Sequence, residues 1–324
     1  MKLYDGIDGL KAVPPGTVMS IGNFDGVHLG HEKILQTMQS LKAATTGARL
    51  AVVTFQPHPL TVLRPQLAPP RLSTDAVRHK LLEAAGVDDL VVLAPLRTVL
   101  DLSAEQFWAI LRDQVRPSHL VEGSSFNFGK NRGGTIDRLR EWAAQSPVKL
   151  HVIDAVEVAL VDLHVVQVSS SLIRWLISYG RMRDAAICLG RPYSLQGGVI
   201  RGHGRGRQIG VPTANLECAD QLVPCDGVYA ARCTIDGTTY PAAVSIGTTP
   251  TFGEEQRQVE AHLIGFHGDL YDRVIELHIT DWLREQVKFD GVEQLKHQIA
   301  ADLSSVQRRS PHDPSRQIAR MSIA

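Results

Sequence analysis

TVMSIGNFDGVHLGH, residues 17–31, decides how the first half of the chain is read. Thr17 to Ile21 reads as a short strand, Gly22 and Gly26 permit a tight turn, and His28 and His31 open the next helix, expected near Glu32 to Leu41. Leu50–Phe55 (LAVVTF), Leu90–Leu93 (LVVL), His119–Val121 and Val148–Ile153 repeat the apolar strand pattern. Helical patterns near Thr74–Ala85 and Ala104–Gln114 fall between them. Short continuous apolar strands separated by helices predict a parallel sheet covered on both faces. Ligands of such sheets bind beyond the carboxyl ends of the strands.

The 21–31 segment therefore sits where a ligand is expected. Helix starts carry free backbone N–H groups and the positive end of the dipole, which favours anions. Two imidazoles at i and i+3 face the same side, and Gly30 leaves room for a phosphate chain. This chemistry suits nucleotidyl transfer, where catalysis is positioning of ATP and stabilisation of departing pyrophosphate. A surface histidine pair or half of a metal site is the plainer alternative, although zinc would want further ligands in defined arrangement. Val168–Arg174 (VSSSLIR) adds hydroxyls and a guanidinium that can grip a triphosphate, or serve as a simple N-cap. Phe126-Asn127-Phe128-Gly129-Lys130, with Arg132, offers an aromatic and basic loop, or a buried Phe pair beside solvated residues.

After Ser169 the rhythm changes. Helices are expected near Leu172–Tyr179 and Met182–Leu189, followed by turn-separated strands: SLQGGVI, GVYAARCTI, TTYPAAVSI, QVEAHLIGF and RVIELHI. Asp236–Gly237 between two of them is a strong hairpin signal. Repeated short strands of this kind predict an antiparallel barrel. A helix is expected near Gly291–Leu303, and the Arg-, Ser- and Pro-containing tail from Ser304 reads as loose. The boundary is placed near Leu189–Pro192, with domains at 1–188 and 189–305 and a tail at 306–324.

Gly202 to Asn215 (GHGRGRQIGVPTAN) is the densest motif. Glycines and two arginines can wrap a polyphosphate, yet no Walker or dinucleotide fingerprint is present. The Thr213 hydroxyl and Asn215 amide oxygen, at i and i+2, suit a Mg²⁺ that bridges nucleotide phosphates. Glu260 alternates with Val259 and Ala261 in QVEAHL and could act as a base toward an alcohol, or simply face outward. Arg284 in WLREQVKF would otherwise be a solvated helix residue.

Composition narrows the partners. At ~150 residues per domain, 324 residues suggest two domains. Apolar residues at 44% and charged residues at 21% exclude a disordered chain, a fibre or a coiled coil. Lys plus Arg and Asp plus Glu are both 34, so the formal charge is 34 − 34 = 0 and lacks the basic excess of a nucleic-acid coat. Cys188, Cys218, Cys225 and Cys233 form no CxxC pair, which suggests free thiols in a reducing compartment. The first residues lack a secretory core. Ala155–Val168, the longest candidate membrane stretch, is interrupted by Glu157, Asp162 and His164. A soluble, cytoplasmic protein with no nucleic-acid or membrane partner is expected.

In order along the chain, GNFDGVHLGH, FQPHP, FNFGKNRGG and VSSSLIR, then LGRPYSLQGGV, GRGRQIGVPTANLE, DGVYAA, SIGTTPTFG, VEAHLIGFHGDLY and LREQVKF, resemble the bacterial bifunctional riboflavin kinase/FMN adenylyltransferase family. The resemblance implies an α/β nucleotidylyltransferase domain with a Rossmann-like parallel sheet. A six-stranded antiparallel β-barrel riboflavin kinase domain with a C-terminal helix would follow. It implies ATP and Mg²⁺ as requirements and riboflavin, FMN and FAD as substrates and products. Carried onto this chain, Gly22, Asn23, Phe24, His28, His31, Ser169, Ser170 and Arg174 would serve ATP in the adenylyl step. Asp25, Phe126, Asn127 and Phe128 would lie toward the flavin. In the kinase half, Gly202, Gly206, Arg207 and Gly210 would hold ATP, Thr213 and Asn215 the metal, and Glu260 would activate the ribityl hydroxyl. Arg284 would lie near flavin and phosphates. Ser125 and Ser245 stand where the family usually has Asp and Asn, departures that bear on flavin affinity. Rival expectations are an enzyme of one step only, a non-catalytic flavin-binding regulator and, more distantly, a zinc hydrolase.

Overall fold

The computed structural model describes residues 1–202, 206, 210–218, 221–249 and 254–309. Two compact units emerge: residues 1–69 with 75–157, and residues 70–74 with 158–324.

The first unit holds the expected parallel sheet. Its strands are β1 (Lys2–Asp5), β2 (Val18–Ile21), β3 (Leu50–Phe55), β4 (Asp89–Leu93), β5 (His119–Gly123) and, after a small ribbon of β6 (Asn127–Phe128) and β7 (Gly134–Thr135), β8 (Lys149–Ile153). The order β1-β4-β3-β2-β5-β8 puts the reversal of winding between β2 and β5. Alternation along the strands feeds two cores. Met19, Ile21, Ala51, Val53 and Leu120 pack on one side, Val18, Leu50, Val52 and Val121 on the other. That two-sided burial is why these segments read as unbroken apolar runs.

β1 carried no such signal. It is mostly exposed and pairs only with β4, so its Lys2-Leu3-Tyr4-Asp5 sequence lacks the pattern of a central strand. The helix expected over Ala104–Gln114 is α-helical only to Ala109, behind a Ser103–Gln106 capping box, and continues as a π-helical turn over Ile110–Val115.

In the second unit, ribbon β9 (Glu157–Ala159) with β10 (Val165–Gln167) leads into helices Ser170–Ser178 and Met182–Leu189. The barrel comes next: β11 (Tyr193–Ile200), β12 (Ala214–Glu217), β13 (Gly227–Ile235), β14 (Thr238–Thr249), β15 (Glu254–Leu263) and β16 (Val274–Arg284), closed in the order β11-β12-β15-β14-β13-β16. The β13–β14 hairpin turns at Asp236 and Gly237, whose φ angles of 49° and 82° are those a two-residue type I′ turn needs.

The compact units part at residue 157, and the Met182–Leu189 helix packs against β11 and β16, with Arg183 paired to Asp281 on β16. The terminal helix spans Val292–Arg309, so residues 304–309 are helical, unlike the expected loose tail. Val306 is buried there, and burial extends a helix past the point where its polar sequence stops predicting it. Among the described residues, no helix is long and apolar enough to cross a membrane.

Candidate functional sites

The first site grows from the end of β2. Gly22 N–H still bonds Val53 O at 2.9 Å, as if the strand continued. The Asn23 carbonyl then accepts from Thr54 Oγ1 and from Arg78 Nη1, both at 3.1 Å. Phe24, Gly26 and Val27 come after it with φ of 48°, 77° and 39°. Left-handed backbone is costly for Phe and more so for β-branched Val. Both side chains are fully buried in the core cluster of Ile34, Leu35 and Met38, and that packing holds the turn in place.

The turn delivers His28 to the N-cap of helix Leu29–Ala43. Its Nδ1 accepts from the His31 N–H at 3.4 Å. A neutral imidazole whose Nδ1 accepts carries its proton on Nε2. The His28 and His31 rings stack 3.7 Å apart with 17° between planes, and Phe24 lies 4.8 Å from His31. Asp25 and His28 are buried. The structure thus unites Gly22, Asn23, Phe24, Asp25, His28 and His31 in one rigid turn at the helix start. Arg78 was missed by sequence reasoning. It is buried and also bonded to Asp75 and Gln56, but inside a helix pattern nothing marked its aim at Asn23.

Phe126 and Phe128 stack with centroids 5.5 Å apart, and Phe128 sits edge-on to Trp142 within the core. Asn127 Nδ2 donates to Ser125 O at 2.7 Å. Ser169, Ser170 and Arg174 belong to the second compact unit, the histidines to the first. Ser169 Oγ caps its helix by accepting from Leu172 N–H at 3.2 Å, and Arg174 Nε donates to Pro70 O at 2.8 Å.

The second site lies on the outer face of the barrel. Val259 and Ala261 point into the core, so Glu260 between them points away from it. Asn215 on β12 and Ser245 on β14 are its register partners on either side. Cross-strand partners project to the same face, so strand pairing alone brings Asn215 and Glu260 together. Thr213 Oγ1 donates to Glu260 Oε2 at 3.3 Å. A His262 ring nitrogen lies 2.7 Å from Pro212 O, steadying the loop that leads to Thr213. Gly202 leaves room for this arrangement, since a Cβ there would come within 2.1 Å of Asn215 Nδ2 and that side chain would have to shift. The Gly206 carbonyl accepts the Val211 N–H at 2.8 Å, and Gly210 has φ of 83°. Arg207 lies outside the described residues.

Arg284 ends β16 instead of sitting on a helix, and its guanidinium is committed to Asp302 of the terminal helix through bonds of 2.8–3.1 Å. Gln286 Nε2 donates to Oγ of Ser245, the register partner of Glu260, at 3.0 Å. Among the described residues, no group of three or more His, Cys, Asp or Glu could hold a metal ion. The donors at Thr213, Asn215 and Glu260 are instead hydroxyl, amide and carboxylate oxygens, a set suited to a hard, partly hydrated cation.

A parallel sheet with an anion-ready helix start, joined to a closed barrel with an oxygen-lined outer face, is the build of a two-site nucleotide-dependent transferase. Comparison with known proteins narrows the class. Residues 10–171 match the FAD synthetase family model and residues 189–309 the riboflavin kinase model. Proteins named bifunctional riboflavin kinase/FMN adenylyltransferase are similar over most of the chain. That of Pseudomonas fluorescens is 36% identical, covering 94% of this chain and 96% of its own length. The Bacillus subtilis (strain 168) protein is 35% identical, with coverage of 90% and 92%. The Escherichia coli (strain K12) protein is 32% identical, with coverage of 93% and 96%. A crystal structure described as a macrolide-efflux protein from Streptococcus pneumoniae shares the fold, with TM-score 0.83 and 27% identity over 95% of this chain and 99% of that one. The efflux description belongs to that protein; the three relatives above carry the transferase name. The chain belongs to the bifunctional riboflavin kinase/FMN adenylyltransferase family.

Proposed function

We propose that the family's two reactions, phosphorylation of riboflavin to FMN and adenylylation of FMN to FAD, are divided between the barrel and the parallel-sheet domain, with a working boundary near residue 189. The observation that carries this division is the meeting of Thr213, Asn215 and Glu260 across β12 and β15.

In the barrel, Glu260 takes the proton of riboflavin's 5′-hydroxyl as that oxygen bonds to the γ-phosphorus of ATP. The bond to the β-phosphate oxygen breaks and ADP leaves. A carboxylate beside the attacking hydroxyl is a general base of the ordinary kind. Thr213 and Asn215 would hold Mg²⁺, which when bound neutralises charge on the nucleotide phosphates. Gly202, Gly206 and Gly210 would border the nucleotide, and the absence of a side chain at Gly202 leaves room for Asn215.

In the parallel-sheet domain, a phosphate oxygen of FMN attacks the α-phosphorus of a second ATP and pyrophosphate departs. His28 and His31 offer N–H donors to that charge, reinforced by the helix N-terminus. Phe126, Asn127 and Phe128 border the flavin, and Ser169, Ser170 and Arg174 are further phosphate-binding candidates by the family resemblance. The four cysteines, all free thiols, support a cytoplasmic setting.

The deciding test is incubation of the pure protein with riboflavin, ATP and Mg²⁺, followed by chromatographic separation of the flavins. FMN should appear first and FAD after it. FMN that accumulates with no FAD would leave only the kinase half standing.

A further inference from the structure

The strands on either side of the topological reversal do not stay paired. β2 and β5 match at Val18–His119 and Met19–Leu120 and then separate, while β2 remains paired with β3 as far as Ile21–Val53. Past Met19, the N–H of Ile21 has therefore lost its partner strand. Glu122 replaces it: its Oε1 accepts the Ile21 N–H at 2.8 Å from the next strand over.

Glu122 is only 1% exposed. Burial pushes its carboxyl well above the usual carboxylate range, opposed only by the hydrogen bond from Ile21. A Glu buried without an ion-pair partner among the described residues is a costly choice where any apolar residue would pack. Its neighbours along β5, Leu120 and Val121, obey that ordinary rule.

The value of the position lies in the segment just beyond Ile21. Consecutive backbone groups are clamped there in turn: Ile21 N–H by Glu122, Gly22 N–H by Val53 O, and Asn23 O by Thr54 and Arg78. The strained Phe24–Val27 turn starts from that base and ends on His28 and His31. In open α/β sheets the crevice at this reversal is where ligands bind. It exists only because the two strands diverge.

We infer that Glu122 is a positioning residue for adenylyl transfer: its carboxyl bridges the opening between β2 and β5 and sets the origin of the turn that carries the paired histidines. This rests on the assignment of FMN adenylylation to the parallel-sheet domain. Glu122 touches no substrate. It acts through the Ile21 amide, so what matters is an acceptor oxygen at that point and not a negative charge.

Glu122→Gln and Glu122→Asp separate these possibilities. The amide oxygen of Gln can still accept from Ile21 N–H, whereas Asp is one methylene too short to reach it. FMN-to-FAD and riboflavin-to-FMN rates are measured on the same preparations, with hydrogen exchange at the Ile21 amide. E122Q should keep FAD formation within about twofold and Ile21 protected. E122D should lose kcat for FAD formation by about tenfold or more, the scale of a sub-ångström to ~1 Å displacement of catalytic groups. In E122D the KM for ATP should change little, Ile21 should exchange faster, and the riboflavin kinase rate should match the unmodified chain. An E122D enzyme with normal kcat, or an E122Q enzyme as impaired as E122D, overturns the inference. His31→Ala, assayed alongside, tests the underlying assignment separately: FAD formation unaffected by H31A would refute the domain assignment itself, whatever the Glu122 variants do. Should E122D fail to fold, E122Q decides through its rate and its Ile21 exchange.

Discussion

The two candidate sites would hold phosphates by two different means. In the parallel-sheet domain the backbone does most of the work. A strand runs into a strained turn and a helix start, and the histidine pair sits where free N–H groups and the dipole already favour anions. Along the described barrel strands no comparable field builds up, because strand dipoles largely cancel. The second site is therefore built from side-chain oxygens that strand register brings side by side, Asn215 and Glu260 as direct partners with Thr213 alongside. A helix start can bind phosphate with few special side chains. A strand face needs a specific set of them and a glycine to make room.

The contrast can be broken by substitution. Glu260→Gln should slow riboflavin phosphorylation by about 10²–10⁴, the range for loss of a general base, and leave FMN-to-FAD conversion unchanged in a coupled pyrophosphate assay. His31→Ala should do the reverse, lowering FAD formation by about 10²–10³, comparable to the loss of one charge-stabilising donor. Loss of both activities in either folded variant would mean the sites are not separate. Gly202→Ala sharpens the barrel side. A Cβ 2.1 Å from Asn215 Nδ2 must displace that side chain, so phosphorylation should fall by roughly 10² with FAD formation intact.

Smaller effects test the supports. Arg284→Met should reduce stability by about 1–3 kcal/mol through loss of the paired bonds to Asp302, read as a lower denaturant midpoint. If Arg284 serves only that link, Asp302→Asn should cost a similar amount and neither variant should alter the KM for riboflavin. Glu122→Gln should act through pH. The native carboxyl stays protonated above the ordinary value of 4.5, so its favourable contribution is complete below that pH and is lost as pH rises toward the raised native value. The Gln variant should therefore melt a few degrees higher near neutrality and no higher at acid pH.

Much of this was readable from residues alone, and the exceptions share a cause. Central strands, helix starts and the Asp236–Gly237 hairpin announce themselves because periodicity and turn chemistry are local properties. β1 escaped because an edge strand with one partner needs no apolar pattern. The last turns of the terminal helix escaped because they are held by burial of Val306 and not by their own sequence. Phe128 is buried edge-on to Trp142, with the partly exposed Phe126 stacked on it, a packing that the motif by itself does not announce. Arg284, set toward flavin and phosphates by the family resemblance and otherwise read as a solvated helix residue, pairs with Asp302, eighteen positions on.

Sequence alone determined the two-part α/β and barrel order, the phosphate-ready turn at residues 21–31 and the chemical types at Thr213, Asn215 and Glu260, because each is encoded within a few neighbouring residues. Tertiary structure decided which of those groups meet. Register across β12, β15 and β14 set Glu260 between Asn215 and Ser245, and divergence of β2 from β5 brought Glu122, a hundred and one positions away, onto Ile21. Contacts between distant segments depend on how whole strands pair and part, and no local stretch of chain carries that information.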